Sequence, residues 1–258
     1  MKLQFDEFGS GPALFLVHGL GATSNLWGGV APTLSRQFRV ICADLRGSGR
    51  STRHGAITTE ELCGDLLELA DQLGVDKAHW FGHSYGSVLV QHLAVLNPTR
   101  TLSVGLIGPI QSASDAARAA LTARAAKARA EGLTDIGSAT VQMGTSADTK
   151  AHRPELAAFV REMVMRQDVE SYAMTCEAVA SSAAAKIEQI RCPALVVTGD
   201  EDNTSPPLVA KAIADKLGGS RFQILARCGH WTPLERSREL TAVLTNFLLG
   251  GEAAAGRA

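Results

Sequence analysis

Hydrophobic and polar positions follow two rhythms along this chain, and the places where one gives way to the other predict its elements. Strand-like runs recur at residues 3–8, 13–17, 38–43, 78–81 and 101–107, and again at 193–198 and 221–225. Each is four to eight residues long, and 13–17, continuously apolar, has the pattern of a strand covered on both faces. Between them the apolar spacing turns helical. Leu62, Leu66, Leu69 and Leu73 follow Thr58 and the first-turn acids Glu60 and Glu61, and Gly74 closes the segment. A helix is also predicted over 24–37 and another from residue 85 to just before Pro98. Strand and helix in alternation predict a parallel sheet with helices on both faces.

The alternation stops at residue 112. Through residue 186 no strand-like run occurs, only Ala-, Arg- and Glu-rich helical patterns at 114–131 (closed by Gly132), 154–165 and 171–186. This segment reads as a helical lid, residues 112–186, inserted into a core made of 1–111 and 187–250. Helices are predicted over 207–217 and 237–249 after the alternation resumes. The Gly/Ala-rich end, 251–258, is expected to be a frayed tail.

Composition narrows the partners. Lys and Arg number 25 against 26 Asp and Glu, a net charge of -1, which argues against nucleic acid or an anionic membrane surface. No apolar run has the length of a membrane span, and the first residues lack a signal-peptide core. The five cysteines are scattered, odd in number and without a Cys-x-x-Cys pair. Free thiols in a cytoplasmic protein are the expectation. His54, His79, His92 and His152 show no metal-ligand spacing, so neither metal nor cofactor is expected.

The candidate chemistry lies where apolar runs end. Gly82-His83-Ser84-Tyr85-Gly86 sits between a strand and a helical pattern, a turn that lifts the Ser84 hydroxyl out of the backbone. Alone it is a weak signal in a chain with 25 glycines. Three other polar or glycine-rich clusters follow apolar runs: His18-Gly19-Leu20-Gly21, Gly199-Asp200-Glu201-Asp202, and Gly229-His230. A parallel sheet gathers its strand ends at one rim, where ligands bind. The order Ser, acid, His is one that supplies a nucleophile, an orienting acid and a base.

Taken together these residues resemble the α/β-hydrolase fold, over residues 14–249. The match runs through His18-Gly19, the stretch Asp44-Leu45-Arg46-Gly47-Ser48-Gly49-Arg50-Ser51, the Ser84 elbow, Asp202 with Pro206-Pro207, and Gly229-His230. The resemblance implies a helical lid inserted after the sixth strand. Within the family the chain is most similar to the 3-oxoadipate enol-lactonase group. Trp231, directly after the histidine, resembles instead the meta-cleavage-product hydrolases, which carry Asn where this chain has His83.

The resemblance implies Ser84 as nucleophile, His230 as base, Asp202 as its orienting acid, and the backbone amides of Leu20 and Tyr85 as the oxyanion hole. Asp200 and Glu201 compete for the acid's place. His18 is expected to shape its loop and His83 to pack beside the elbow. Asp44 and Arg46 are expected to fix a turn. Trp27 and Trp231 are candidate pocket walls. The cations Arg118, Arg124, Lys127 and Arg129 read as a solvated helix face, or as the source of one arginine that reaches a substrate carboxylate.

The expected activity is hydrolysis of a small carboxylic ester or lactone, with an enol-lactone favoured. A carbon–carbon bond hydrolase of a vinylogous diketone, a promiscuous esterase or perhydrolase, and a non-catalytic ligand-binding relative are the alternatives. Self-association is left open by the sequence.

Overall fold

The computed structural model describes residues 3–255. Seven strands form one sheet: β1 (Phe5–Phe8), β2 (Ala13–Val17), β3 (Arg39–Ala43), β4 (Ala78–His83), β5 (Thr101–Ile107), β6 (Ala194–Gly199) and β7 (Arg221–Leu225). Their spatial order is β1-β3-β2-β4-β5-β6-β7. Only β1 runs antiparallel, against β3. The chain therefore reverses direction across the sheet at β2, which has β3 on one side and β4 on the other, the kind of switch point that opens a crevice at the strand ends.

Alternation along β2 divides the core. Phe15 and Val17 join the cluster on one face with Trp80, Val88 and Leu66, and Phe15 stacks on Trp80 with ring centroids 4.3 Å apart. Leu14 and Leu16 join the other face with Val40, Phe81, Trp27 and Leu244. Successive side chains of a strand point to opposite faces, so an all-apolar strand must be covered twice. The helices doing so include α1 (Ala31–Leu34), α2 (Thr59–Gln72) and α3 (Tyr85–Leu96).

The lid comprises α4 (Asp115–Glu131), α5 (Thr134–Gly144), α6 (Ala147–His152), α7 (Pro154–Met165) and α8 (Val169–Ser181). Helix α4 lies along α8, and the alanines of α4 let it approach closely. Ala125, Ala128, Ile136, Val164, Tyr172 and Cys176 form a small core of the lid's own, against which Leu20 packs. After β6 come α9 (Pro207–Lys216), α10 (Thr232–Glu235) and α11 (Ser237–Ala255).

Four expectations need correcting. The lid follows the fifth strand, not the sixth, because the described chain before Ala13 supplies only the single edge strand β1. The helix predicted over 24–37 is split into a 3₁₀ turn, Ser24–Trp27, and the short α1. Gly28 and Gly29 intervene, and Gly29 lies so close to Ser237 that a Cβ there would stand 2.9 Å from the serine's. Helices α5 and α6 lie in a stretch for which no helix was predicted. Finally, α11 runs on to Ala255, into the segment read as a tail, and residues 256–258 lie outside those described.

Candidate active site

The turn from β4 into α3 is shaped by two glycines that nothing larger could replace. A Cβ on Gly82 would lie 2.1 Å from the Gly86 carbonyl oxygen, and one on Gly86 would lie 2.3 Å from that of Val17. Packing this tight drives Ser84 to φ 54°, ψ -119°, a strained conformation for a residue with a side chain. Surrounding bonds hold it there. The Ser84 amide donates to Ile107 O at 2.9 Å, and its carbonyl accepts from the Ser87 amide at 2.8 Å and hydroxyl at 2.6 Å. The result is a half-buried serine at a helix N-terminus, its backbone fixed from both sides.

His230 arrives on the loop after β7, and Asp202 on the loop after β6. Nδ1 of His230 donates to Asp202 Oδ2 at 2.9 Å. Because a carboxylate only accepts, the ring proton sits on Nδ1 and Nε2 is the basic nitrogen. The other carboxylate oxygen, Oδ1, accepts the amides of Thr204 (2.8 Å) and Ser205 (2.7 Å), and Thr198 Oγ1 donates to Oδ2 at 3.3 Å. Burial disfavours the Asp202 charge, but the nearby His230 and these hydrogen bonds outweigh it and hold the carboxyl down at about 2. It is therefore an anion across the physiological range.

The rival acids are engaged elsewhere. Asp200 is exposed and accepts the Cys228 amide at 2.9 Å, while Glu201 accepts the Ala147 amide at 2.7 Å. Sequence reasoning overlooked Thr198, Thr204 and Ser205 as partners of the acid. The run Asp202-Asn203-Thr204-Ser205 carried the signal, since an Asp side chain commonly accepts amides two and three residues on.

The loop after β2 lies directly over the elbow. A Cβ on Gly19 would stand 2.8 Å from His83 O and 2.9 Å from the Ser84 Cβ, so only glycine permits that approach. His18 fixes the loop from below. Its Nδ1 donates to Gly19 O at 2.9 Å and its Nε2 accepts the Leu45 amide at 2.9 Å, a neutral tautomer that complete burial also favours. The Tyr85 amide is the first of α3 and has no helical carbonyl to bond. Among the described residues no protein group accepts from the Leu20 amide, and both residues line the same cavity.

His83 packs behind His230. Its Nε2 donates to the His230 carbonyl at 2.7 Å, its ring lies 4.8 Å from that of His230, and burial, then the neighbouring His230, press its pKa down to about 3. Asp44 and Arg46 lie away from the cavity. Asp44 accepts from the Ser24 amide and from Arg50, and Arg46 forms a buried two-point pair with Asp65 at 2.7 and 2.6 Å. Asp44 closes its own turn through Arg50, as expected, whereas Arg46 ties that stretch to α2, which carries Asp65.

A cavity of about 740 Å³ lies between the sheet rim and the lid, with Ser84 and His230 in its wall. Trp231 also lines it, but Trp27 does not. Trp27 is fully buried in the core cluster beneath the sheet face, so its expected place as a pocket wall is corrected to core packing. Helix α4 contributes Ala117, Ala120, Leu121 and Arg124, and α9 contributes Leu208 and Val209, none of the α9 residues having been foreseen. Arg118, Lys127 and Arg129 do not line the cavity; Arg129 is held outside by Glu170 and Glu177.

Comparison with known proteins agrees with this architecture. Residues 12–237 match the family described as the alpha/beta hydrolase fold. The chain is 26% identical to the rat (Rattus norvegicus) bifunctional epoxide hydrolase 2 over 96% of its own length, but spans only 53% of that protein. It is 23% identical to 3-oxoadipate enol-lactonase 1 of Acinetobacter baylyi, covering 96% of this chain and 92% of the relative. With 2-hydroxymuconate semialdehyde hydrolase of a Pseudomonas species it shares 26% identity, over 99% and 93% of the two chains. The solved enol-lactonase of Burkholderia xenovorans superposes with a TM-score of 0.91 at 29% identity, covering 96% of each chain.

Proposed function

The chain belongs to the α/β-hydrolase-fold family, and on that premise we propose that it is a serine hydrolase of a small carboxylic ester or lactone, with an enol-lactone as the favoured substrate. The observation that carries the reading is the 2.9 Å bond from His230 Nδ1 to Asp202 Oδ2, with Ser84 strained at the wall of the same cavity. In this account His230 Nε2 takes the proton of Ser84 Oγ as that oxygen attacks the substrate carbonyl. Asp202 keeps the ring in the tautomer that leaves Nε2 basic and stabilises the imidazolium. The Leu20 and Tyr85 amides receive the oxyanion of the tetrahedral intermediate. His230 then returns its proton to the leaving oxygen, and a water deprotonated by the same nitrogen attacks the acyl-enzyme, releasing acid and free Ser84. No step requires a metal or an organic cofactor.

The enol-lactonase reading draws on the two enol-lactonases named above, which match over nearly their whole length. One observation favours a second reading, hydrolysis of a carbon–carbon bond in a vinylogous diketone. Trp231, next to the base, is a wall of the cavity, and a 2-hydroxymuconate semialdehyde hydrolase is among the relatives. Both reactions use the same three side chains, so the catalytic residues do not separate them. Turnover of an enol-lactone and of a vinylogous diketone, compared as kcat/KM, does. For the hydrolase reading itself the test is p-nitrophenyl acetate turnover by the parent and by Ser84→Ala. Removing the nucleophile is expected to lower kcat by about 10⁴-fold or more. Background rates in both proteins overturn it.

A further inference from the structure

We propose that His83 is a positioning residue: through one hydrogen bond to the main chain of His230 it sets where the basic imidazole stands relative to Ser84. The proposal deepens the hydrolase reading and rests on it for its kinetic readout. His83 is the last residue of β4, opposite Ile107 of β5, and Ser84 follows it directly. Its ring is buried. Nε2 lies 2.7 Å from the His230 carbonyl oxygen, and because a carbonyl only accepts, the ring proton sits on Nε2 and Nδ1 is a bare acceptor. Among the described residues that Nδ1 has no hydrogen-bond partner.

A buried acceptor without a partner is destabilising, and an apolar side chain would fill the same space without leaving one. Packing therefore does not account for an imidazole at this position. What the imidazole adds, and no apolar residue could, is the Nε2–H. The carbonyl that it meets has little else. The other bond to that oxygen, from Thr232 Oγ1, is 3.4 Å long, outside the usual range for a hydroxyl donor.

The remaining anchors of His230 come from elsewhere in the fold. Its amide donates to Gly144 O, at the end of α5, at 2.8 Å, and its ring donates to Asp202, on the loop after β6, at 2.9 Å. Of the three bonds, the one from His83 alone starts on the segment that carries the nucleophile. The two imidazoles also meet, with centroids 4.8 Å apart and planes tilted by 44°, so His83 limits the ring of His230 as well as its backbone. Ser84 is fixed at φ 54° by the packing of the elbow, so its partner must be brought to it. A misplacement of about 1 Å between such groups can cost about a hundred-fold in rate.

The test compares His83→Gln with His83→Met, side chains of equal length of which only the first carries a donor. Any loss of ring packing is common to both and cancels in their ratio. With p-nitrophenyl acetate, and kcat taken per folded molecule from circular dichroism, His83→Gln should exceed His83→Met by about ten- to a hundred-fold in kcat. KM should differ by about twofold or less, since the bond touches no part of the substrate. Equal kcat in the two variants, or a difference confined to KM, overturns the proposal and leaves the hydrolase reading intact. Should His83→Met not fold, His83→Phe keeps a ring without the donor and takes its place. A second readout needs no turnover. In protein made with isotope-labelled histidine, the Nδ1–H resonance of His230 should be sharp in the parent and in His83→Gln, and broadened by exchange in His83→Met. If the parent turns over no ester, the hydrolase reading fails and this resonance decides the positioning by itself. A His230 resonance alike in both variants overturns it.

Discussion

At the end of β6 two aspartates stand two residues apart and do different work because the backbone turns between them. Asp202 is buried, bonded to His230 and to two amides, whereas Asp200 faces solvent and fastens the Cys228 amide. Asp202→Asn should lower kcat on p-nitrophenyl acetate on the order of 10⁴-fold, because an amide can favour the wrong imidazole tautomer. Asp200→Asn keeps an acceptor for Cys228 and should cost little. Equal losses contradict this division of labour. The Asp202 carboxyl is also held at about 2, below its ordinary value of 3.8. Its stabilising contribution is therefore complete above about pH 4 and is lost as the pH falls toward 2. Its position was legible from sequence because Gly199 and the Pro206-Pro207 pair frame it. Arg124 was legible only as one of four cations, since which way a helix faces depends on its partner.

A junction inside the lid, between α5 and α6, is stapled to the loop after β7. Glu235, at the end of α10 and 1% exposed, accepts the Gly229 amide at 3.0 Å through Oε1. Through Oε2 it accepts the Ser146 amide and the Thr149 hydroxyl, both at 2.8 Å. The His230 amide donates to Gly144 O at 2.8 Å. The α5–α6 junction and the loop carrying His230 are thus one hydrogen-bonded unit. Glu235→Ala strands three buried donors and should cost about 3 kcal/mol or more of unfolding free energy. Glu235→Gln keeps acceptor capacity and should cost less. Urea unfolding of both variants measures the difference, and equal stability would mean the staple carries no weight. Nothing in the sequence pattern marked this unit. Helix α5 is interrupted by Gly137 and α6 is only six residues long, and Glu235 reads as a surface residue until the fold buries it.

Across the whole molecule, burial leaves several imidazoles uncharged. His18, His79 and His83 all have pKa values lowered chiefly by burial, His79 to about 4 and His83 to about 3. The unfolded chain binds protons at these sites near pH 6.5 while the folded chain does not, so stability falls as the pH drops below 6.5. Replacing His79 with Gln should flatten the pH dependence between about 6.5 and 4 by up to roughly 1.4 kcal/mol per pH unit. Unfolding curves at pH 7 and pH 5 for parent and variant check the slope, and an unchanged slope contradicts the assignment. At this scale the fold was largely readable, because strands covered on both faces appear as unbroken apolar runs. Trp27 was misplaced as a pocket wall, since an aromatic residue near a loop has the same pattern whether it packs in the core or lines a cavity.

In the proposed reaction Ser84 carries the acyl group between the two halves of turnover. The most direct measurement is to mix the protein with p-nitrophenyl acetate, quench within the first turnovers and locate the added acetyl mass by peptide mass spectrometry. An acetyl group is expected on the Ser84 peptide of the parent, more persistent in Asp202→Asn, and none in Ser84→Ala. Turnover without any label at Ser84, or the same label on another residue in Ser84→Ala, would contradict it.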